Sequence, residues 1–224
     1  MRKEHITSPS DPFTILSLIE GKPRCQILSQ LPEDPHPMEI KDYPDQYEIH
    51  TTTKAGLDIL IRPMRDDDAP RLRALFYTLS PKTVYLRFFT QLHDPSAEMF
   101  EKLARVDHDR HVVLVAVDEK GEDRKILGVF RLMCDPAGKQ AEMAVVVGDP
   151  WQGKGVGSKL FEHGFSIAKE RGIESVVGMV LPENKTVLAL SRKHGFAIHW
   201  DAEEHAYAMQ MDLKSRDPEE TKHA

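Results

Sequence analysis

Cysteine is scarce in this chain of 224 residues, and long apolar runs are missing altogether. The two cysteines, Cys25 and Cys134, are too few for a disulfide framework or a zinc site built from thiols. No stretch approaches about 18 uncharged apolar residues, so we expect no membrane span and no membrane partner. No apolar segment of a signal peptide follows Met1–His5. These shortages predict a cytoplasmic protein with reduced thiols.

Positive charge is also in deficit. The chain has 30 lysines and arginines against 36 aspartates and glutamates, which gives a net charge of −6. Because binding to phosphate backbones needs excess positive charge, we do not expect nucleic acid as the main partner, and a cationic substrate is weakly favoured. The apolar share of 40% and the charged share of 29% are those of an ordinary globular protein.

Proline and charge suggest a division of the chain into three parts. Seven of the 15 prolines precede residue 45, so long helices and strands are not expected there. We interpret residues 1–50 as an N-terminal arm with one short helix at 13–19, and a disordered tail is the alternative. Residues 51–213 read as one domain, and 214–224 as a charged tail.

The pattern from residue 54 onward predicts a mixed α/β (α+β) domain. Helices are expected after Asp66, from Pro81, from Ser96, over 155–170 and over 184–194. Short connections between the middle strands favour antiparallel neighbours. Strands are expected at 57–62, 112–117, 126–133, 141–147, 175–181, 196–200 and 206–211.

A glycine-rich turn at 152–158 is the most informative segment. Its glycines permit a close approach of the backbone to a ligand, and the start of the following helix leaves N–H groups that can hold phosphate. The spacing fits neither the Walker pattern nor the dinucleotide fingerprint, and Gln-x-x-Gly-x-Gly remains. A tight strand-to-helix connection without a ligand is the alternative.

This turn resembles the pyrophosphate-binding motif of the GCN5-related N-acetyltransferases, the GNAT family. The segments 180–184 and 194–196 resemble that family's later strand, its asparagine-containing helix and its terminal Gly-Phe. The segments 79–89 and 141–147 resemble the acetyltransferase domain of bacterial Pat-type protein lysine acetyltransferases. The resemblance covers roughly residues 42–200.

The resemblance implies a mostly antiparallel central sheet of about six to seven strands, with acetyl-CoA as co-substrate and no metal. It implies that backbone groups of the 145–147 strand pair with the pantetheine arm, and that an N–H near Val145 polarises the thioester carbonyl. Asn184 would contact the pantetheine, although an N-cap role is equally open. The implied cofactor-binding residues are Val145, Val146, Val147, Gln152, Gly153, Lys154, Gly155, Val156, Gly157, Ser158 and Asn184.

Acyl transfer also requires a base, since a lysine amine has a pKa near 10.4 and is almost wholly protonated at neutral pH. Glu142 matches the proposed base of the Pat-type enzymes, and its alternative reading is a solvated strand residue or salt-bridge partner. Ser191 stands where many family members carry a tyrosine, and we list it as a catalytic residue that hydrogen-bonds the sulfur directly or through water. The thiolate leaving unassisted is the other reading, and Tyr85 is a reserve candidate.

The function expected from these residues is acetyl transfer from acetyl-CoA to an amine, with a protein lysine ε-amine as the first candidate. A small-molecule amine, a non-catalytic acyl-CoA sensor and a nucleotide-binding protein are the alternatives. The acidic run 66–68 is better explained by a helix N-terminus than by substrate attraction. The histidine-containing segment 107–111 is not expected to bind metal. The sequence leaves the acceptor and the oligomeric state open, a dimer included.

Overall fold

The computed structural model describes residues 43–121 and 123–214. The expected helix at 13–19, Cys25 and nearly all of the charged tail lie outside the described residues. The strands are β1 (Ile49–Thr52), β2 (Asp58–Pro63), β3 (His111–Asp118), β4 (Ile126–Cys134), β5 (Gln140–Val147), β6 (Ser175–Val180), β7 (Ala197–Asp201) and β8 (Ala206–Asp212). The α-helices are α1 (Ala69–Phe76), α2 (Pro81–Phe88), α3 (Ala97–Ala104), α4 (Val156–Glu170) and α5 (Lys185–Lys193).

The strands form one mixed sheet in the order β1-β2-β3-β4-β5-β6-β8-β7. Neighbours are antiparallel except β5 and β6, which are parallel, so the mostly antiparallel sheet is confirmed. The described residues contain eight strands where six to seven were expected. The additional strand, β1, is only four residues long, with Ile49 as its one apolar residue, and it spans the boundary placed at residue 50. A pattern this short does not identify a strand until its pairing with β2 is seen.

Helix starts follow local capping chemistry. Ser80 and Ser96 each accept a hydrogen bond from the backbone N–H three residues later, at the starts of α2 and α3. Pro81 occupies the first turn of α2, where no N–H is needed. Helix α2 ends at Phe88, and the next residue, Phe89, is its C-cap with a left-handed φ of 59°. These caps confirm the expected starts.

Apolar side chains bury both faces of the central strands. On one face, α4 packs against β4 through Phe130, Phe161 and Phe165, whose ring centroids lie 5.2 to 5.5 Å apart. On the other face, α1, α2 and α3 form a second core that includes Phe88 and Phe100. Because α1 to α3 cover only part of their face, the sheet floor beyond them stays open for a ligand.

The pair β5 and β6 separates along its length. Glu142 and Val177 form the last paired position of these two parallel strands. Beyond it, β5 continues to pair with β4 alone, and β6 continues to pair with β8 alone. A wedge therefore opens in the sheet with Glu142 at its point.

Candidate active site

The backbone of β5 presents alternate residues to the wedge. The carbonyl of Lys139, just before β5, accepts bonds from the N–H groups of Glu174 and Ser175 on the β6 side. The N–H of Gly148, just after β5, donates to Leu127 on the β4 side. Because strand backbone groups alternate in direction, odd-numbered residues of β5 face the wedge and even-numbered ones face β4.

This alternation distinguishes the three valines expected to bind the cofactor. Val145 and Val147 direct their backbone groups into the wedge, whereas Val146 directs its own toward β4. The Val147 carbonyl already accepts a hydrogen bond from Gln152 Nε2 at 3.0 Å. Val145 therefore offers a backbone N–H and carbonyl at the middle of the wedge, where no described strand pairs with β5 on that side.

The glycine-rich turn lies between the end of β5 and the start of α4. The N–H groups of Gly153 and of residues 155–158 donate no hydrogen bond to any other residue that the structure describes. They belong to a helix N-terminus, which carries partial positive charge, and Lys154 is exposed beside them. This segment forms a cradle of amides suited to a diphosphate.

Two residues of the turn are engaged within the protein. The Gln152 N–H donates to the carbonyl of Asp149, and its side chain bridges Val147 and Asp149. The N–H of Lys154 donates to Trp151 at 3.4 Å. Their backbone amides are therefore less available to a ligand than those of the neighbouring glycines, and Gln152 joins the turn to the end of β5.

Gly155 and Gly157 differ in what requires a glycine. Gly155 has a φ of +93°, and an added Cβ would lie 3.3 Å from the Cβ of Thr53. That conformation and contact are unfavourable for any other residue. Gly157 is helical, and an added Cβ would make ordinary contacts of 3.6 Å with Leu190 and Val147.

Glu142 is half-buried at the point of the wedge, and its carboxylate forms no hydrogen bond or ion pair within the described chain. Burial raises the pKa of Glu142 above its ordinary value of 4.5, while the positive charge of Arg87 acts to lower it. A half-buried carboxylate with no protein partner is free to accept a proton from a ligand.

Glu142 lines two cavities. The first is a cavity of about 40 Å³ in the wedge, which Glu142 shares with Arg87, Val145 and Asn184. The second is a groove of about 720 Å³ along the open sheet floor. Four in-register residues cross this floor from β4 to β8, namely Met133, Glu142, Val177 and Gln210.

Asn184 is an N-cap and also lies at the wedge cavity. Its Oδ1 accepts a hydrogen bond from the N–H of Val187, so it is the N-cap of α5. It also lines the wedge cavity beside Glu142 and Val145. The Nδ2 atom of its side chain donates to no described residue, which leaves that donor for a ligand.

Ser191 lies apart from this arrangement. It is fully buried, its Oγ has no hydrogen-bond partner in the described part of the chain, and it is not among the residues that line the wedge cavity. The structure thus brings together Glu142, Val145 and Asn184 but does not bring Ser191 to them. Tyr85, the reserve candidate, is 37% exposed on α2 and does not line that cavity either.

The acidic run is divided by the fold. Asp68 is fully buried and forms two hydrogen bonds of 2.7 Å to the guanidinium of Arg62, so it cannot attract a substrate. Its pKa is lowered from the ordinary 3.8, because the hydrogen bonds and charge of Arg62 outweigh the burial that would raise it. Across residues 43–121 and 123–214, no group of three or more metal-ligating side chains is found.

Arg87 is the site residue that sequence reasoning did not single out. It lies in the last turn of α2 and lines the wedge cavity. The available signal was a cation between the apolar residues Leu86 and Phe88, inside the segment that carried the Pat-type resemblance. Helical spacing alone does not show which way that cation faces.

Comparison with known proteins agrees with the fold. The family model for the acetyltransferase (GNAT) domain matches residues 58–197. The chain is 30% identical over 142 residues to Acetyltransferase PA5475 of Pseudomonas aeruginosa, covering 63% of this chain and 76% of that protein. The chain therefore belongs to the GNAT acetyltransferase family and transfers an acetyl group from acetyl-CoA.

Solved structures show the same architecture. The GNAT domain of S. lividans PAT superposes with a TM-score of 0.69 at 27% identity, covering 76% of this chain and 99% of that domain. The putative acetyltransferase yncA of Salmonella typhimurium, solved with acetyl-CoA, has a TM-score of 0.55 at 16% identity, covering 70% and 95% of the two chains. At that identity yncA supports the fold alone. No helix of the described residues is long and apolar enough to cross a membrane.

Proposed function

We propose that this chain acetylates lysine ε-amines of proteins, with Glu142 as the general base. The observation that carries the proposal is the position of Glu142, which lines both the wedge cavity and the open groove. A base in that position lies between an acyl donor in the wedge and an acceptor in the groove.

The residues present fit a CoA thioester. Free amides at Gly153 and at residues 155–158 would bind the diphosphate, with Lys154 adding a full positive charge. The free backbone of Val145 and the side-chain amide of Asn184 would hold the pantetheine end. Acetyl-CoA supplies the acetyl group as a thioester, and the Val145 N–H would donate to the carbonyl oxygen as negative charge develops on it.

Glu142 performs the proton transfer in this proposal. At neutral pH about one lysine amine in a thousand is unprotonated, so removal of a proton is required before attack. The carboxylate of Glu142 takes that proton directly or through one water, and the amine nitrogen then attacks the carbonyl carbon. Burial favours this role, because it raises the pKa of Glu142 toward that of the amine.

The shape and charge of the groove favour a protein lysine over a small polyamine. Only two carboxylates, Asp135 and Glu142, are among the described residues that line it, and Arg110 and His111 also line it. A site for a free polyamine would gain from several carboxylates, whereas a single lysine side chain needs only the base. The similarity to the GNAT domain of S. lividans PAT agrees with this choice.

Replacing the base tests the mechanism. Glu142→Gln keeps the size and burial of the side chain but removes its proton acceptor. We expect kcat for a lysine peptide to fall about 10²- to 10⁴-fold. The Kd for acetyl-CoA measured by calorimetry should stay within about twofold, because no residue of the amide cradle has changed. Glu203→Gln, which removes an exposed carboxylate from the β7–β8 turn, is the matched control.

A panel of acceptors tests the substrate class. Lysine peptides, folded lysine-bearing proteins and spermidine would be compared by kcat/KM at equal acetyl-CoA. Higher kcat/KM for lysine peptides and proteins supports the proposal. Higher kcat/KM for spermidine would overturn the choice of acceptor, and retained turnover in Glu142→Gln would overturn the choice of base.

A further inference from the structure

Arg87 and Glu142 are the only charged residues among the described side chains that line the wedge cavity. Arg87 reaches this cavity from α2, whereas Glu142 reaches it from the sheet. One cation and one anion therefore share a small, half-enclosed space next to the Val145 amide.

The fold holds the end of α2 in place. Phe88 and Phe89 are both buried in the second core. Phe88 is the last residue of α2, and Phe89 follows it as a left-handed C-cap. The Arg87 guanidinium lies 4.9 Å from the centre of the Phe88 ring. Anchored in this way, the guanidinium stays on the cavity side of the helix.

A second arginine lies behind Arg87. Arg131 is 4% exposed, and its Nη2 donates a hydrogen bond of 2.6 Å to the carbonyl of Leu103 near the end of α3. Burial and the nearby charge of Arg87 lower the pKa of Arg131 to about 9, so it stays positive at neutral pH. Both arginines line a further cavity under Ala144 and Val146, and together they make this side of the site positive.

The other charged groups near Glu142 lie along the groove. Arg110 and His111 face it from the start of β3, Asp135 from the β4–β5 turn, and His199 from β7. Among the described residues, burial raises the pKa of Glu142 and Arg87 is the one charged group that shifts it, in the downward direction. The groove groups are spread along its walls, whereas Arg87 shares the wedge cavity with the carboxylate.

We propose that Arg87 is a positioning residue for acetyl transfer, and that its guanidinium keeps the Glu142 carboxylate ionised in the wedge cavity that the two residues share. The inference rests on the proposed function. The lysine ammonium loses one proton to Glu142, the nitrogen–carbon bond forms, and the carbon–sulfur bond breaks with its electron pair leaving on sulfur. The second proton, which the nitrogen loses as it becomes an amide, passes to the thiolate and gives the CoA thiol. Arg87 exchanges no proton in these steps, and its charge decides the pH at which Glu142 is ready to accept one.

The test is the pH profile of kcat/KM in four proteins: the unchanged chain, Arg87→Gln, Arg87→Lys and Lys82→Gln. Lys82 is an exposed cation at the start of α2, so Lys82→Gln removes one positive charge from the same helix away from the cavity. In Arg87→Gln the acidic limb should move up by about one pH unit. The loss of kcat/KM should then be about tenfold at pH below the limb and small on the alkaline side.

The controls separate charge from structure. Arg87→Lys and Lys82→Gln should keep the acidic limb within about 0.3 pH unit of the unchanged chain, because Lys keeps the charge and Lys82 is remote. An equal loss of kcat/KM at every pH in Arg87→Gln, with an unmoved limb, would overturn the inference. Arg87→Met, which keeps the aliphatic stem, replaces Arg87→Gln if the latter does not fold.

Failure of the proposed function is distinguishable from failure of this inference. Retained turnover in Glu142→Gln would mean that Glu142 is not the base, and the proposed function would then fail. Loss of turnover in Glu142→Gln together with an unmoved limb in Arg87→Gln leaves Glu142 as the base and removes only the role of Arg87.

Discussion

At the scale of single residues, Glu142 and Asp68 show how environment gives two carboxylates opposite tasks. Glu142 is half-buried, its carboxylate forms no hydrogen bond with a described residue, and burial raises its pKa. Asp68 is fully buried against Arg62, and its pKa is lowered. The first carboxylate is available for chemistry, and the second is committed to the stability of the fold.

The pH dependence of turnover follows from Glu142. A base must be ionised to act, so kcat/KM should fall as the pH drops through the pKa of Glu142. Because burial raises that pKa above 4.5, the fall should be centred above pH 4.5. Initial rates with a lysine peptide across the pH range measure this limb, and its disappearance in Glu142→Gln assigns it.

The buried ion pair predicts a large loss of stability. Asp68→Asn leaves Arg62 charged and buried without its partner, and the free energy of unfolding should fall by about 3–5 kcal/mol. Urea unfolding followed by circular dichroism measures the change. Asp67→Asn removes a neighbouring carboxylate that is exposed, and it should change the free energy by less than about 0.5 kcal/mol.

The same pair sets a dependence of stability on acid. Since the pKa of Asp68 is lower in the folded chain than in the unfolded one, its contribution is complete above the unfolded value of about 3.9. The contribution is then lost as the pH falls through the lower, folded pKa. Asp68→Asn should therefore unfold with a shallower dependence on pH below about 4 than the unchanged chain.

At the scale of structural elements, the turn from β5 into α4 contains one glycine that the backbone conformation requires and one that it does not. Gly155 has a left-handed backbone and touches Thr53 of the β1–β2 connection, whereas Gly157 has ordinary space around it. Both glycines belong to the same alternating Gly-x-Gly pattern in the sequence, so only the backbone geometry distinguishes them.

Two alanine substitutions test this difference. Gly155→Ala should lower the free energy of unfolding by about 1–2 kcal/mol and weaken acetyl-CoA binding, because the amide cradle must shift. Gly157→Ala should leave the stability unchanged or raise it slightly, since alanine favours a helix. Urea unfolding and calorimetry with acetyl-CoA measure both variants. Equal effects in the two variants would contradict the geometry.

At the scale of the whole molecule, one parallel pair in an otherwise antiparallel sheet creates the site. The β5–β6 pairing ends at Glu142, and each strand continues with a different neighbour. The helices α1 to α3 leave the adjoining sheet floor open, so the wedge cavity and the groove meet at one carboxylate. The site therefore depends on the two halves of the sheet staying in position.

Binding of acetyl-CoA across this wedge should stabilise the whole fold. At a concentration of about 100 times its Kd, a ligand that binds only the folded state adds about 2.7 kcal/mol. For a chain of this length that corresponds to a rise in Tm of about 5–11 °C. Differential scanning calorimetry with acetyl-CoA measures the rise, and an acetyl thioester lacking the diphosphate should give a much smaller one. A larger shift with ATP would contradict the assignment of the amide cradle.

Much of the fold was predictable because its signals are local. The caps Ser80, Ser96 and Asn184 place the starts of three helices, and continuous apolar runs predict the buried strands β3 and β4. The short strand β1 was not predicted, because four residues with a single apolar member, Ile49, are too short a pattern to indicate a strand without their pairing with β2.

Sequence by itself determined the family, the glycine-rich turn and the identity of a candidate base, since these depend on residue types at fixed spacings. Tertiary structure decided which of those residues meet. Ser191 and Glu142 were both candidates on spacing, yet one is enclosed in the core and the other lies where two cavities join. Arg87 enters the site only through the packing of α2 on the sheet, because contacts between residues far apart in the chain are set by the fold and leave no local pattern.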